Sequence, residues 1–157
     1  MLDYYTRSGS SGAQQIVYGH DLDADASEYV AFVGFVPLDM VPGTDIVVMF
    51  RWCTTVINGG AETNVWWGGS YGRVGNSGAI PAPTAVASFT DASCVIPALE
   101  AAETIHETTW ETIAGASPGD CLSLYIRRNA DGGGDTYADD VMMFHRAFVE
   151  YTADPRA

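Results

Sequence analysis

The chain has 157 residues, of which 47% are hydrophobic and 17% charged, a composition that excludes a disordered polymer and supplies enough apolar material for one core. Twenty acidic residues against seven basic ones leave a net charge of −13, and all seven basic residues are Arg, a balance ill suited to nucleic acid, whose backbone is held by clustered Lys and Arg. No window approaches the roughly 18 uninterrupted apolar residues of a membrane helix, so neither nucleic acid nor membrane is an expected partner.

The opening Met1-Leu2-Asp3-Tyr4-Tyr5 has no basic segment followed by an apolar core, which predicts a protein that stays in the cytosol where it is made. Residues 6–12 are small and polar without a hydrophobic period. They predict a flexible N-terminal arm over 1–13, ahead of a single domain over 14–152 and a short tail over 153–157. Within the arm, Tyr4, Tyr5 and Arg7 are the candidate docking residues, because a flexible tail orders when it binds.

From Gln14 onward, short β-branched and aromatic runs alternate with Gly, Pro, Asp and Asn clusters. Strands are predicted near 14–18, 28–36, 45–53, 62–71, 84–89, 92–96, 104–113, 121–128 and 141–151, about eight or nine in all. Turn chemistry separates them at Pro37-Leu38-Asp39, Val41-Pro42-Gly43, Asn58-Gly59-Gly60, Pro81-Ala82-Pro83 and Ser117-Pro118-Gly119-Asp120. Only 97–103 predicts one or two helical turns. Leu122, Leu124 and Ile126 share one face of their strand, the core face. The expected fold is an all-β antiparallel sandwich, jelly-roll-like.

Two segments, 45–50 and 141–144, are apolar on both faces and predict cover on two sides. That cover comes from a loop, another strand or another subunit; oligomerisation is the economical source, which nominates Val48, Phe50, Met142 and Phe144 for a subunit interface.

Candidate chemistry is sparse. Cys53, Cys94 and Cys121 cannot all pair, match no zinc spacing and lie in or beside apolar runs, so they predict reduced, buried thiols. His20, His106 and His145 fall on different elements, without the H-x-x-x-H spacing that aims two imidazoles at one metal. Glu107 and Glu111 share a strand face, but four residues of strand separate them by roughly 13 Å, beyond the range of a glycosidase pair. No catalytic residue is nominated, and no cofactor.

The stretch 129–140 is rich in Asp and Gly, with Asp131, Asp135 and Asp140 as weak calcium candidates; its missing fifth ligand, terminal Asp and lack of flanking helices favour a hairpin loop. Trp66 and Trp67 offer aromatic platforms for stacking on sugars, although alternation sends them to opposite faces and core or interface packing competes with that role.

The segment from Arg127-Arg128-Asn129 through Asp135-Thr136-Tyr137 and Asp139-Asp140-Val141, with the closing strand Phe148-Val149-Glu150-Tyr151, resembles the C-terminal hairpin of small structural proteins of tailed bacteriophages. In those chains a strand after a Pro-Gly-Asp turn carries Arg, then an Asp-Thr-Tyr run with a further Asp, and ends in Tyr. The pattern falls here on Pro118-Gly119-Asp120, Arg127, Asp135-Thr136-Tyr137, Asp139 or Asp140, and the closing strand. Upstream, Phe32-Val33-Gly34-Phe35-Val36-Pro37-Leu38-Asp39 before Ile46-Val47-Val48-Met49 is similar to an element of the same group. The resemblance spans roughly residues 28–151. It implies a virion protein on the outer capsid surface, a decoration or cement protein that binds the major capsid protein as a homotrimer, with no catalytic residues. A carbohydrate-binding or receptor-binding module of a tail or fibre is the alternative.

Overall fold

A computed structural model describes residues 3–8, 14–75, 87–88 and 92–155. These form strands β1 (Asp3–Ser8), β2 (Gln14–Leu22), β3 (Tyr29–Phe35), β4 (Ile46–Thr54), β5 (Thr63–Val74), β6 (Ala87–Ser88), β7 (Ala92–Ile96), β8 (Ile105–Ile113), β9 (Cys121–Arg128) and β10 (Val141–Tyr151), with no helix among the described residues. One sheet runs β1-β2-β10-β4-β8 and the other β3-β9-β5-β6, with β7 also on β5; every pairing is antiparallel. The chain changes sheet at each step from β2 to β5 and again from β7 to β10, which makes a jelly-roll-like sandwich.

Three local expectations are corrected. Asp3–Ser8, read as part of a free arm, lies along β2 with Tyr4 opposite Tyr18 and Thr6 opposite Ile16. The aromatic and β-branched residues at 4–6 favour a pleated partner over solvent, and β2 offers an open edge. The rest of the expected arm lies outside the described residues, as does most of the strand predicted over 84–89. Residues 97–103 form two tight turns, not helical ones; Leu99 (φ 61°) and Glu103 (φ 62°) are left-handed, which ends any right-handed run. In the expected tail, Ala153 bridges Met40 and the Asp154 N–H donates to the Asp39 carbonyl at 2.6 Å.

The core resolves the strands read as apolar on both faces. In β4, Ile46, Val48, Phe50 and Trp52 point between the sheets and are fully buried, while Val47 and Met49 face outward, half-buried, with Arg51 exposed beyond them. The other sheet therefore covers Val48 and Phe50, and neither is available to a subunit interface. Phe50 meets Trp67 edge-on at 4.9 Å, and Trp67 lies 5.3 Å from Trp52, whose indole N–H donates to Thr108 Oγ1 at 3.0 Å. Met142 is on the outer face yet buried by its own chain, because Gly19 leaves it room: a β-carbon there would lie 2.5 Å from Met142 Cγ. Phe144 remains half-buried opposite Gly19.

All three cysteines are free, Cys53 buried and the other two half-buried. Burial, reinforced by Glu103 and Asp21, pushes the Cys53 thiol up to about 11.

Two outcomes follow from this packing. Phe50→Ala should lower unfolding stability in urea by about 3–5 kcal/mol relative to the wild type at the same protein concentration, since the lost contacts lie within one chain. Cys53, protonated at neutral pH, should take up iodoacetamide only on unfolding, as read by mass spectrometry. Because the folded thiol titrates above its ordinary value of 9.0, its contribution to stability is complete below pH 9 and declines as pH rises from 9 towards 11.

Candidate functional site

Alternation along β9 puts Leu122, Leu124 and Ile126 in the core and carries Arg128 inward after them, where it is 0% exposed. Its Nε and Nη2 donate to Asp135 Oδ2 (3.0 Å) and Oδ1 (2.9 Å), a bidentate ion pair. Nη1 donates to the carbonyls of Asp139 (2.7 Å) and Leu22 (3.4 Å), and Nη2 to that of Tyr137. The five N–H groups of the guanidinium thus have five acceptors. Around this cation the loop 129–140 folds back on β5: the Trp66 N–H donates to Asp135 Oδ2 at 3.1 Å and the Asn64 N–H to Thr136 Oγ1 at 2.9 Å. Gly134 lies against the Trp66 ring so closely that a β-carbon would overlap the indole.

This geometry disperses the calcium candidates. Asp135 gives both oxygens to Arg128, Asp140 Oδ1 accepts the Ala24 N–H at 3.1 Å, and Asp131 is exposed. Among the described residues no group of three or more His, Cys, Asp or Glu side chains converges on a metal position. The glycan platform is also corrected: Trp67 is fully buried between the sheets and Trp66 is half-buried beneath Gly134, so the two rings form no common surface. Glu107 pairs with Arg51 at 2.8 Å, whose guanidinium lies 5.1 Å from the Phe148 ring, and Glu111 Oε1 accepts the Thr112 N–H. His20, His106 and His145 sit on β2, β8 and β10. The docking candidates Tyr4, Tyr5 and Arg7 lie on β1, paired along β2.

The arginine-centred loop braces a neighbouring structure. Tyr137 is buried, and its hydroxyl donates to the Val56 carbonyl at 2.9 Å, reaching the loop 55–62 between β4 and β5. There the buried Asn58 side chain donates to the carbonyls of Ala61, Ile96 and Pro97 at 3.2, 3.3 and 2.9 Å. The Asn58 backbone N–H donates to the Glu100 carbonyl (3.0 Å), and the Leu99 N–H to the Asn58 carbonyl (2.8 Å). Glu100 in turn meets His106 Nε2 at 2.7 Å, and His106 stacks on Trp52 at 4.3 Å. These hydrogen bonds join loops 55–62 and 97–104 into one end of the sandwich.

That end displays Val56, Ile57 and Leu99, all exposed, with Ile105 exposed where β8 begins. Leu99 is 71% exposed and holds φ 61°. A bulky residue in the left-handed region costs on the order of 1–3 kcal/mol and persists only where its surroundings hold it. An apolar side chain kept in a strained conformation, on a hydrogen-bonded base and facing solvent, is a preformed apolar contact. Arg128, Asn58 and Leu99 were not nominated from sequence; only Arg128 had a signal, the continued alternation of β9.

No family model matches this chain, and no curated protein matches it in sequence.

Removing one member of the buried pair exposes the cost of the other. Arg128→Met should destabilise the fold by about 3–5 kcal/mol, and Arg128→Met with Asp135→Leu should recover much of that loss, as followed by thermal unfolding. Added calcium should leave the wild-type melting temperature unchanged, because the Asp135 carboxylate is already engaged.

Proposed function

We infer that this chain is a virion structural protein, a decoration or cement protein that binds the major capsid protein on the outside of a tailed-phage shell and strengthens it by adhesion. The observation that carries the reading is the apolar end built from Val56, Ile57, Leu99 and Ile105. Its geometry is set before any partner arrives, so docking avoids most of the ordering cost that a flexible segment incurs. Each apolar side chain transferred from water contributes about 25 cal/mol per Å² buried. Binding only to the assembled shell shifts the assembly equilibrium towards it by mass action. The resemblance over roughly 28–151 supports the same assignment, and a charge of −13 suits a surface turned away from packaged nucleic acid. The docking element is the 55–62 and 97–104 end.

Shells prepared without the protein and then incubated with it should gain stoichiometric density and a higher disassembly temperature. Leu99→Gly should relieve the backbone strain, leaving the isolated domain as stable or up to about 1 kcal/mol more stable, while occupancy of pelleted shells falls. Ile57→Asp should lower occupancy similarly. Full occupancy with both variants, or no binding of the wild type, overturns the reading.

A further inference from the structure

We propose that two copies of this chain pair through the free edge of β3, antiparallel about a two-fold axis at Phe32, so that one sheet runs through both copies. β3 ends its sheet, with β9 on one side and nothing paired on the other among the described residues. Its outward residues are open: Tyr29, Val33 (74%) and Phe35 (72%) are exposed, as is Ala31, and on the inner face a β-carbon at Gly34 would meet nothing within 4 Å. A strand edge of this kind leaves a row of backbone donors and acceptors without ladder partners and is a template for another strand.

Charge selects a second copy as the occupant. β8, at the edge of the other sheet, carries Glu107 and Glu111, and β1 at its opposite edge carries Asp3 and Arg7. The remaining edge of the β3 sheet is split between the two-residue β6 and the five-residue β7. β3 alone offers seven consecutive residues, Tyr29 to Phe35, with neither charge nor proline. In a chain of net charge −13, that is a stretch where a like-charged copy can approach without opposing carboxylates.

The strand is also self-complementary. Centred on Phe32, the two-fold register sets Tyr29 opposite Phe35 of the second copy and Ala31 opposite Val33, each pair occurring twice, as an isologous interface requires. The flanking Glu28 residues fall roughly 27 Å apart, well beyond a Debye length of about 8 Å. The same edge opens on an apolar cleft of about 280 Å³ between the sheets, lined by Phe32, Gly34, Leu122, Leu124, Ala147 and Val149. The two-fold places Phe32 of each copy beside its mate at the mouth of that cleft.

Sedimentation velocity and light scattering on the purified protein, without any shell, test the pairing apart from the function inferred above, which is read by shell occupancy. The wild type should show twice the mass of one chain at high concentration and dissociate on dilution. Ala31→Glu with Val33→Glu places carboxylates opposite each other and should give a folded monomer, with unchanged circular dichroism. Ala31→Lys with Val33→Glu places opposite charges at those positions and should restore the dimer. Leu38→Glu, at a 78% exposed position outside the strand, should leave it intact. A wild-type monomer at all concentrations, a trimer, or a dimer that survives the paired Glu substitutions overturns the proposal. So does a monomer whose β3 variants lose only shell binding, which would assign the edge to the shell protein.

Discussion

The guanidinium of Arg128 is the interaction on which the candidate end of the molecule depends. It sits at the inner end of β9 as a fully buried cation, answered by the Asp135 carboxylate and three backbone carbonyls. Desolvating two charges costs about as much as their attraction returns, so the pair adds little net stability over an apolar replacement. Its effect is geometric. Fixing Asp135 and the Tyr137 carbonyl fixes the path of 129–140, and that path brings the Tyr137 hydroxyl to Val56. From Val56 the constraint passes through Asn58 to Leu99, by hydrogen bonds between buried or half-buried groups. A loop of Gly and Asp thereby becomes the brace for an apolar surface on the neighbouring loops.

Most of the strands were legible in the sequence because alternation and turn residues are local signals. The segments predicted over 92–96, 121–128 and 141–151 coincide with β7, β9 and β10. Tertiary cover is not local. Val47 and Met49 make β4 read as greasy on both sides, yet they are half-buried on a central strand whose neighbours β10 and β8 set Glu150, Thr112, Phe148 and Thr109 beside them. Composition alone could not separate that from a subunit contact. Arg128 was legible in principle, one step beyond Ile126 on the core face, but charged residues are so seldom fully buried that the pattern reads as ending before it. Asn58 and Leu99 gave no signal: an Asn-Gly-Gly turn and a Pro-Ala-Leu-Glu run look ordinary until the two loops meet.

The residues that carry the phage resemblance turn out to brace the fold. Tyr151, at the end of the closing strand, donates its hydroxyl to Asp39 at 3.0 Å, joining the two outer ends of the pattern. That contact raises the Tyr151 phenol above its ordinary range, since the hydroxyl is held as a donor beside a carboxylate. The turn Pro118-Gly119-Asp120 exchanges backbone hydrogen bonds with Val36 at 2.8 and 3.0 Å. Asp135 and Tyr137 serve Arg128 and Val56. The arginine matched by the pattern, Arg127, is exposed, and its neighbour does the bracing. A motif made of such braces is a signature of architecture, and architecture is shared among proteins with different tasks. The exposed apolar end at Val56, Ile57, Leu99 and Ile105 lies on residues the quoted motifs do not contain.

The β3 edge and the Leu99 loop lie at different edges of one sheet. β3 lies at one edge, and β7, which leads into the Leu99 loop, lies at the other with β9 and β5 between them. Covering β3 with a second copy therefore leaves the braced end free. A pair joined at β3 carries its two Leu99 ends at its far edges, pointing at separate contacts. Were one end to dock as proposed, the joined sheet would hold the second near its target, and its binding would become intramolecular at a high effective concentration. On the proposed reading, two such contacts would hold neighbouring shell subunits together more firmly than either alone, and the adhesion would gain strength from the joined sheet without any enlargement of the apolar end.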